Sequence, residues 1–423
     1  MYIKDISISN FKSIASAEID FSRLTLLIGA NAAGKSNLIN VFRFLADIEN
    51  NGLDYAIALQ GGISYLRNAS MPKDEPITIK FSIDFPDEHW IRQVSSNIGL
   101  MINSVENEFS IKPNKKGNGY HIASDKLDVI YSINRVPKVK NQELEKVSDY
   151  RLTFERTTRK LAHKYLIYNC DGWDEKEKEK FESADISGKF FERMCREDMN
   201  ELMLNKIALL LPPSFNASSF VRIFDFDPRE LKKNSAMGSM KVLNENGSNI
   251  ASVLQHILTK KANKEKFTCL VRDFLPFVGS IRVKNNFDKS FSYTVKESYS
   301  NKTFYSSFLS DGTVSLLAIV IALYFENNSN IVVLEEPERN IHPRLLKQLL
   351  SACKDVSSNK QIIITTHNPE FLKQAEIEDI RFIQRDCDGF SHISKPSDNP
   401  TVRTFIKNDL GLDDLFLKNL LGE

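Results

Sequence analysis

Three runs of consecutive apolar residues, each followed by glycine or polar residues, dominate the hydrophobic pattern of the chain. They lie at 24–28, where Thr25 is the one polar residue, at 331–334 and at 362–364. Runs without a polar residue at every second position are typical of parallel strands covered on both faces. Apolar residues at helical spacing follow the first run, at 35–48. Strands alternating with helices predict an α/β fold with a mainly parallel sheet.

Other segments show a different periodicity. Residues 75–85 have an apolar side chain at every second position, which predicts a half-exposed antiparallel strand. Strand-like pieces recur at 127–133 and 163–169, followed by a predicted helical stretch at 174–211. Residues 246–258 are expected to form a helix capped by Ser248 or Asn249.

The chain of 423 residues is too long for one ordinary core. The segments with recognisable motifs lie at both ends, and the middle carries none. We therefore expect one composite domain from residues 1–85 and 220–423, with residues 86–219 as an α+β insertion of unknown role.

Composition narrows the function classes only slightly. Lys and Arg number 56 against 55 Asp and Glu, so the formal net charge is +1. This balance provides no overall electrostatic footprint for nucleic acid. The five scattered cysteines favour reduced thiols in a cytoplasmic protein. Lys and Asp interrupt the apolar residues near the N-terminus, and no run approaches the ~18 apolar residues of a membrane span, so no membrane association is expected.

The segment GANAAGKS at 29–36 matches the pattern of a phosphate-binding loop between a strand and a helix. Gly29 and Gly34 allow the backbone to turn so that successive N–H groups face a polyphosphate. Lys35 would reach the terminal phosphates, and Ser36 would offer its hydroxyl to Mg²⁺. The residues predicted here to bind nucleotide are Gly29, Ala30, Asn31, Ala32, Ala33, Gly34, Lys35, Ser36 and Asn37.

Two further apolar runs end in residues suited to catalysis. The run at 331–334 leads into Glu335 and Glu336, at the strand end where open parallel sheets bind ligands. Glu335 is predicted to hold Mg²⁺ together with Ser36, and Glu336 to orient and deprotonate the attacking water. The next run leads into His367, which we predict to contact the terminal phosphate from the same sheet edge.

A fourth motif precedes the long apolar helix that starts near residue 314. Ser310, Asp311, Gly312 and Thr313 stand immediately before this helix, at a helix start where backbone N–H groups lack partners. Such a helix start favours an anion. These four residues are therefore predicted to bind an anion, and only the family resemblance of the ordered motifs implies that this anion belongs to a nucleotide.

The ordered motifs resemble those of ABC-class ATPases, whose Walker A, signature, Walker B and switch-histidine elements they match. They are GANAAGKS, LSDGT, IVVLEEPE and TTH. NFKS at 10–13 and EEPERNIHPRLL at 335–346 resemble more specifically the SMC, RecF and OLD branch, the stand-alone AAA-family predicted ATPases of bacteria. The C-terminal GLDDLFLKNLLGE is also similar to that group. The resemblance covers about residues 1–85 and 220–423.

The resemblance implies a P-loop fold with an ABC-ATPase head, comprising a parallel core, an antiparallel β subdomain and a helical signature lobe. It also implies ATP and Mg²⁺ as cofactors and a homodimer, or a higher even oligomer. In these families the signature of one subunit contacts the γ-phosphate held by the other. Ser310, Gly312 and Thr313 would then complete the partner's site, and residues 339–341 would cross the dimer seam.

The sequence departs from the family pattern in two places. Position 335 is Glu where Asp is common, so the metal geometry would shift by one methylene. A glutamine loop has only Gln60 as a weak candidate, which fits a structural role better. Lys12 either approaches the nucleotide or is a solvated lysine.

The expected function is a homodimeric ATPase that couples dimer closure to DNA or to an effector protein, such as a nuclease or toxin, in DNA repair or antiphage defence. The alternative is a slow ATP-dependent scaffold that holds or releases a toxic partner, and a transporter subunit is disfavoured. Only 56 residues follow His367, so no nuclease domain is expected. DNA would contact basic clusters, for which solvation is an equally good explanation: Lys112, Lys115, Lys116, Arg135, Lys138, Lys140, Lys260, Lys261, Lys264 and Lys266.

Overall fold

A computed structural model describes most of the chain. The described residues are 1–85, 90–95, 98–114, 119–135, 145–157, 160–168, 192–193, 195, 201–210, 221–238, 241–300, 302–327, 329–407, 411–418 and 420. The chain divides into two compact units. We call Met1–Phe21, Ser36–Phe220 and Arg385–Ile393 the antiparallel unit, and Ser22–Lys35, Val221–Gln384 and Ser394–Glu423 the parallel unit.

Among the described residues, consecutive strands dominate 77–168, and helices alternate with strands from 311 to 385. The strands are β1 (Tyr2–Phe11), β2 (Ile14–Asp20), β3 (Leu24–Ile28), β4 (Ile77–Asp84), β5 (Trp90–Ser95), β6 (Ile98–Pro113), β7 (Tyr120–Arg135), β8 (Glu145–Thr157), β9 (Lys160–Tyr168), β10 (Arg222–Phe224), β11 (Ser235–Ala236), β12 (Val278–Asn285), β13 (Ser290–Glu297), β14 (Thr303–Tyr305), β15 (Ile331–Glu335), β16 (Gln361–Thr366), β17 (Ile380–Arg385) and β18 (Ser391–Ser394). The α-helices are α1 (Lys35–Asn51), α2 (Leu53–Leu59), α3 (Ile63–Leu66), α4 (Pro228–Leu231), α5 (Ile250–Thr259), α6 (Lys261–Phe274), α7 (Asp311–Tyr324), α8 (Pro343–Ser357), α9 (Pro369–Leu372), α10 (Pro400–Lys407) and α11 (Leu412–Leu417).

The antiparallel unit is built on one long sheet in the order β2-β1-β4-β6-β7-β8-β9, with β5 paired to β6. The alternating strand predicted at 75–85 forms β4, which pairs antiparallel with β1 and β6. The strand-like pieces at 127–133 and 163–168 lie in β7 and β9, as expected. The sheet therefore continues from β4 into the segment predicted to be an insertion, through the pairing of β4 with β6.

The predicted parallel sheet is present: β10, β15, β16, β3 and β17 pair in parallel in that order, within a six-stranded sheet that continues from β17 to β18. Every residue of β3 and β16 is buried, as the uninterrupted apolar runs indicate. The α/β fold class is confirmed. Because β15, β16 and β3 run in the same direction, their C-terminal residues lie at one sheet edge.

Helices and a second sheet complete the core of the parallel unit. β11, β12, β13 and β14 form a small antiparallel sheet. Helix α7 is buried almost throughout, from Thr313 to Leu323, and contacts α4, α6 and α8. A helix that is apolar on all sides must be covered on all sides. None of the described helices has the length and apolar character needed to cross a bilayer.

Several local predictions need correction or lie outside the described residues. The helix predicted at 246–258 begins at Ile250 with Asn249 at its N-cap position, as predicted, but the Asn249 side chain makes no capping bond: its Oδ1 accepts from Asn244 N and its Nδ2 donates to Val242 O. Within 174–211, the structure describes a 3-10 helix at Met203–Leu210 and a few isolated residues. The basic residues Lys115, Lys116, Lys138 and Lys140 lie outside the described ranges, as does Cys170.

Candidate functional site

The phosphate-binding loop predicted at 29–36 connects β3 to α1. A side chain at Gly29 would place its Cβ 2.2 Å from the carbonyl oxygen of Ile383, so only glycine fits this position. Ala32 and Gly34 have positive φ angles of 63° and 113°. The left-handed conformation costs little at glycine, and at Ala32 it marks backbone strain of the kind found at ligand loops.

Lys35 turns back over the loop that precedes it. Its Nζ donates hydrogen bonds to the carbonyl oxygens of Gly29, at 2.7 Å, and Ala30, at 3.0 Å. The side chain is buried, and this burial lowers the pKa of Lys35 while nearby carboxylates act in the opposite direction. A buried ammonium bonded to loop carbonyls is suited to exchange those partners for phosphate oxygens.

Three nearby carboxylates act to raise the pKa of Lys35. In decreasing order of effect they are Glu336, Glu338 and Glu335. Glu335 is the last residue of β15 and pairs with Thr365 of β16. The strand does not continue beyond Glu335, because Glu336 has a φ of 44°. The structure therefore places the predicted metal ligand and the predicted base beside the loop lysine.

The carboxylate of Glu336 has a partner on each oxygen. Nδ1 of His367 lies 2.9 Å from Oε1, and Nη2 of Arg339 donates to Oε2 at 3.0 Å. Burial acts to raise the pKa of Glu336, but hydrogen bonds and charges from His367 and Arg339 outweigh it, so the pKa is lowered. The predicted base and the predicted histidine are thus in direct contact.

Ser36 and Asn37 lie in the first turn of α1. Ser36 is exposed, as the predicted role in binding a metal and phosphates requires. The Nδ2 of Asn37 donates to the hydroxyl of Ser13 at 2.6 Å, and Ser13 in turn contacts Ser391. The side chain of Asn37 therefore binds Ser13 of the NFKS motif. The backbone N–H of Asn37 is the group that we still assign to nucleotide binding.

The predicted signature residues form the N-terminus of α7. Ser310 is the N-cap, and its hydroxyl accepts a hydrogen bond from the backbone N–H of Thr313. The Asp311 carboxylate pairs with Lys232 at 2.5 Å. A side chain at Gly312 would place its Cβ 2.5 Å from the carbonyl oxygen of Asn340. The turn after β15 therefore packs directly on the start of α7.

Sequence reasoning missed two interactions in this region. Arg339, expected at a dimer seam, pairs within its own chain with Glu336 and, at 3.4 Å, with Asp225. Glu338 was given no role, although it is buried and accepts a hydrogen bond from Thr366. The position of Glu338 two residues beyond Glu336 in an acidic motif was the available indication.

The two weaker candidates from the sequence are Gln60 and Lys12. Gln60 is the C-terminal cap of α2, in agreement with a structural role. Lys12 has a positive φ of 48°, and burial and the charge of Arg43 lower its pKa. Both residues belong to the antiparallel unit.

Known proteins resemble this chain over most of its length. A family described as an AAA domain, putative AbiEii toxin, Type IV TA system, matches residues 24–373. An SMC head bound to the C-winged helix domain of ScpA has a TM-score of 0.52 and 13% identity, covering 93% of this chain and 98% of its own. The SMC head with coiled coil and joint from Pyrococcus yayanosii has a TM-score of 0.47 and 12% identity, covering 97% and 100%.

A curated relative matches only in part. Uncharacterized protein MJECL43 of Methanocaldococcus jannaschii is 24% identical over 98 residues, which are 23% of this chain and 26% of the relative. The chain thus spans about a quarter of that protein. The family match over residues 24–373 shows that the chain belongs to the AAA-domain family described as putative AbiEii toxins of Type IV toxin–antitoxin systems, and the match with a TM-score of 0.52 shows the fold of an SMC head.

Proposed function

We propose that the protein binds ATP with Mg²⁺ and hydrolyses it to ADP and phosphate. The observation that carries this proposal is the position of Lys35. It is buried against the loop carbonyls, and three carboxylates at and after the C-terminal end of β15 act to raise its pKa. Phosphoryl transfer requires a cationic phosphate ligand, a metal ligand and a group that orients water. Lys35, Glu335 and Glu336 supply these three chemistries.

In this proposal the loop residues 29–37 surround the phosphates with backbone N–H groups, and Lys35 binds the terminal phosphates. Ser36 and Glu335 would hold Mg²⁺, which would supply positive charge to neutralise the phosphate oxygens. Glu336 accepts a proton from the attacking water as the water oxygen bonds to the γ-phosphorus and the bond to ADP breaks. His367 contacts the terminal phosphate and, through its bond to Glu336, the base.

The catalytic role is tested by comparing ATP hydrolysis of the wild-type protein and Glu336→Gln. Loss of a general base lowers rates by about 10²–10⁴-fold, and we expect kcat to fall in that range while ATP still binds. Glu376→Gln is a matched control, because Glu376 is an exposed carboxylate paired with Lys354. Equal kcat values in all three proteins would contradict the assignment of Glu336.

We further propose a homodimer in which the α7 start of each subunit completes the site of the other. The exposure of Ser310 and Asp311 in the single chain supports this, since both are accessible to a partner. Lys35→Ala and Ser310→Arg chains should each be inactive alone. Their mixture should regain activity, because one site of each mixed dimer is intact. If mixed dimers form and remain inactive, the shared-site arrangement is wrong.

The work driven by ATP is proposed to be an action on DNA or on an effector protein in DNA repair or antiphage defence. Exposed Lys260, Lys261 and Lys264 near the start of α6 support DNA binding. Affinity for a DNA duplex should then fall steeply with salt. A charge-reversal variant of these lysines should reduce the salt slope. Binding without salt dependence would favour the alternative, an ATP-dependent scaffold that holds a toxic protein.

A further inference from the structure

Glu338 is a buried carboxyl group with one of its two oxygens unpaired. Its relative exposure is 7%, and Oε1 accepts a hydrogen bond from the hydroxyl of Thr366. Oε2 is buried and has no hydrogen-bond partner among the described residues. Most buried polar atoms are paired, so an unpaired oxygen next to a candidate site needs an explanation.

Thr366 connects Glu338 to the turn that carries His367. The Thr366 hydroxyl is fully buried and accepts a hydrogen bond from the backbone N–H of Asn368 at 2.9 Å. Asn368 then caps α9 through a bond from Glu370 N. These bonds fix both residues that flank His367, and His367 itself contacts Glu336.

We propose that Glu338 is a positioning residue for ATP hydrolysis, which orients the pair of His367 and Glu336 by holding Thr366. This inference rests on the function proposed above. It assigns Glu338 a contact with the histidine turn and no contact with the nucleotide.

Glu338 and Glu336 then make opposite demands on their side chains, although they are two residues apart. Glu336 must accept a proton, so glutamine cannot replace it. Glu338 needs only an oxygen that accepts the Thr366 hydrogen bond, which the amide of glutamine retains. Burial raises the pKa of Glu338, in agreement with a role that does not require a negative charge.

The test measures kcat, KM and the ATP dissociation constant for Glu338→Ala, Glu338→Gln, His367→Ala and the double variant Glu338→Ala/His367→Ala. Glu338→Ala should lower kcat by about 10- to 100-fold, the rate equivalent of one buried hydrogen bond. The ATP dissociation constant should change by less than about threefold. The kcat of Glu338→Gln should lie within about threefold of the wild-type value. In the His367→Ala background, Glu338→Ala should have no further effect on kcat.

Melting temperatures show whether each variant folds. If Glu338→Ala is unfolded, Thr366→Val serves instead, since it removes the same hydrogen bond at nearly constant volume. Additive effects of Glu338→Ala and His367→Ala on kcat, or a Glu338→Gln variant as impaired as Glu338→Ala, would overturn the inference. A wild-type protein without ATP hydrolysis would refute the proposed function itself, whereas active wild type with unimpaired Glu338→Ala refutes only the role of Glu338.

Discussion

Asp125 in the antiparallel unit and Glu338 in the parallel unit are both buried carboxyl groups, but their oxygens differ in hydrogen bonding. Asp125, in β7 of the antiparallel unit, accepts from Met203 N at 2.7 Å and from Asn107 Nδ2 at 3.1 Å, so both oxygens are paired. Glu338, after β15 of the parallel unit, has one paired and one unpaired oxygen. Complete pairing is typical of a structural group, and partial pairing at a strand end is typical of a functional one.

Topology explains the difference. In a parallel sheet, neighbouring strands end at the same edge. The residues that follow β15 and β16 therefore lie together at that edge, outside the strands themselves. In the antiparallel sheet, neighbouring strands end at opposite edges, and Asp125 lies inside β7 between β6 and β8. The comparison predicts that substitution of strand-end residues in the parallel unit changes catalysis, whereas substitution of Asp125 changes stability.

The largest expected effect concerns two lysines at opposite ends of the same sheet. Lys35→Ala should lower kcat/KM by about 100-fold or more, because it removes the cation predicted to bind the terminal phosphates. Lys360, just before β16, is also partly buried, and burial likewise lowers its pKa, but it donates to the Glu326 carbonyl at the other sheet edge. Lys360→Ala should therefore retain kcat/KM. Similar losses for the two variants in an ATPase assay would contradict the assignment of the site to one edge.

The next effect tests the antiparallel unit through pH. Burial raises the pKa of Asp125 to about 6 from the ordinary 3.8, against opposing hydrogen bonds and the charge of Arg156. The folded protein therefore binds this proton more tightly than the unfolded chain. The free energy of unfolding should fall by about 3 kcal/mol as pH rises from about 4 to about 6, and then level off.

Urea unfolding across this pH range measures the effect, with Asp125→Asn as the comparison. The variant lacks the titrating group, so the Asp125 contribution to the slope should disappear while kcat stays at the wild-type value. If Asp125→Asn lowers kcat without a change in unfolding, the division between a catalytic and a structural carboxyl would fail.

The sequence predicted the parts of the site that depend on continuous segments or on strand ends. The loop at 29–36 is contiguous, and Glu335, Glu336 and His367 follow apolar strands directly. The bond between Thr366 and Glu338 spans 28 residues and depends on the turn after β15, so periodicity gives no indication of it.

Contacts between residues farther apart in the sequence were still harder to predict from the sequence. Asp125 binds Met203 across 78 residues, through strand register and a 3-10 helix that leave no motif in the sequence. The long antiparallel sheet was predicted only as separate strand pieces, since pairing partners are set by tertiary packing as much as by local pattern. Glu338 was missed because sequence alone does not show which acid of the motif is buried.

A smaller effect should arise at Gly312. In Gly312→Ala the Cβ would meet the Asn340 backbone carbonyl at 2.5 Å, which forces the turn after β15 away from α7. Such overpacking costs about 1–3 kcal/mol of stability. The matched control is Gly411→Ala, whose Cβ would meet the movable end of the Asp413 side chain at the same distance. Thermal unfolding should show a larger loss for Gly312→Ala, and equal losses would mean that the turn is free to move.

The smallest effect is expected for the ion pair at the start of α7. The Asp311 side chain is 52% exposed and pairs with Lys232, and exposed pairs contribute about 0–1 kcal/mol and are screened by salt. Asp311→Asn should therefore lower the free energy of unfolding by less than about 1 kcal/mol at low salt, and by still less at high salt. A large, salt-independent loss would place Asp311 with the buried carboxyls. A small loss would leave this helix start free to change partners, as contact with a second subunit requires.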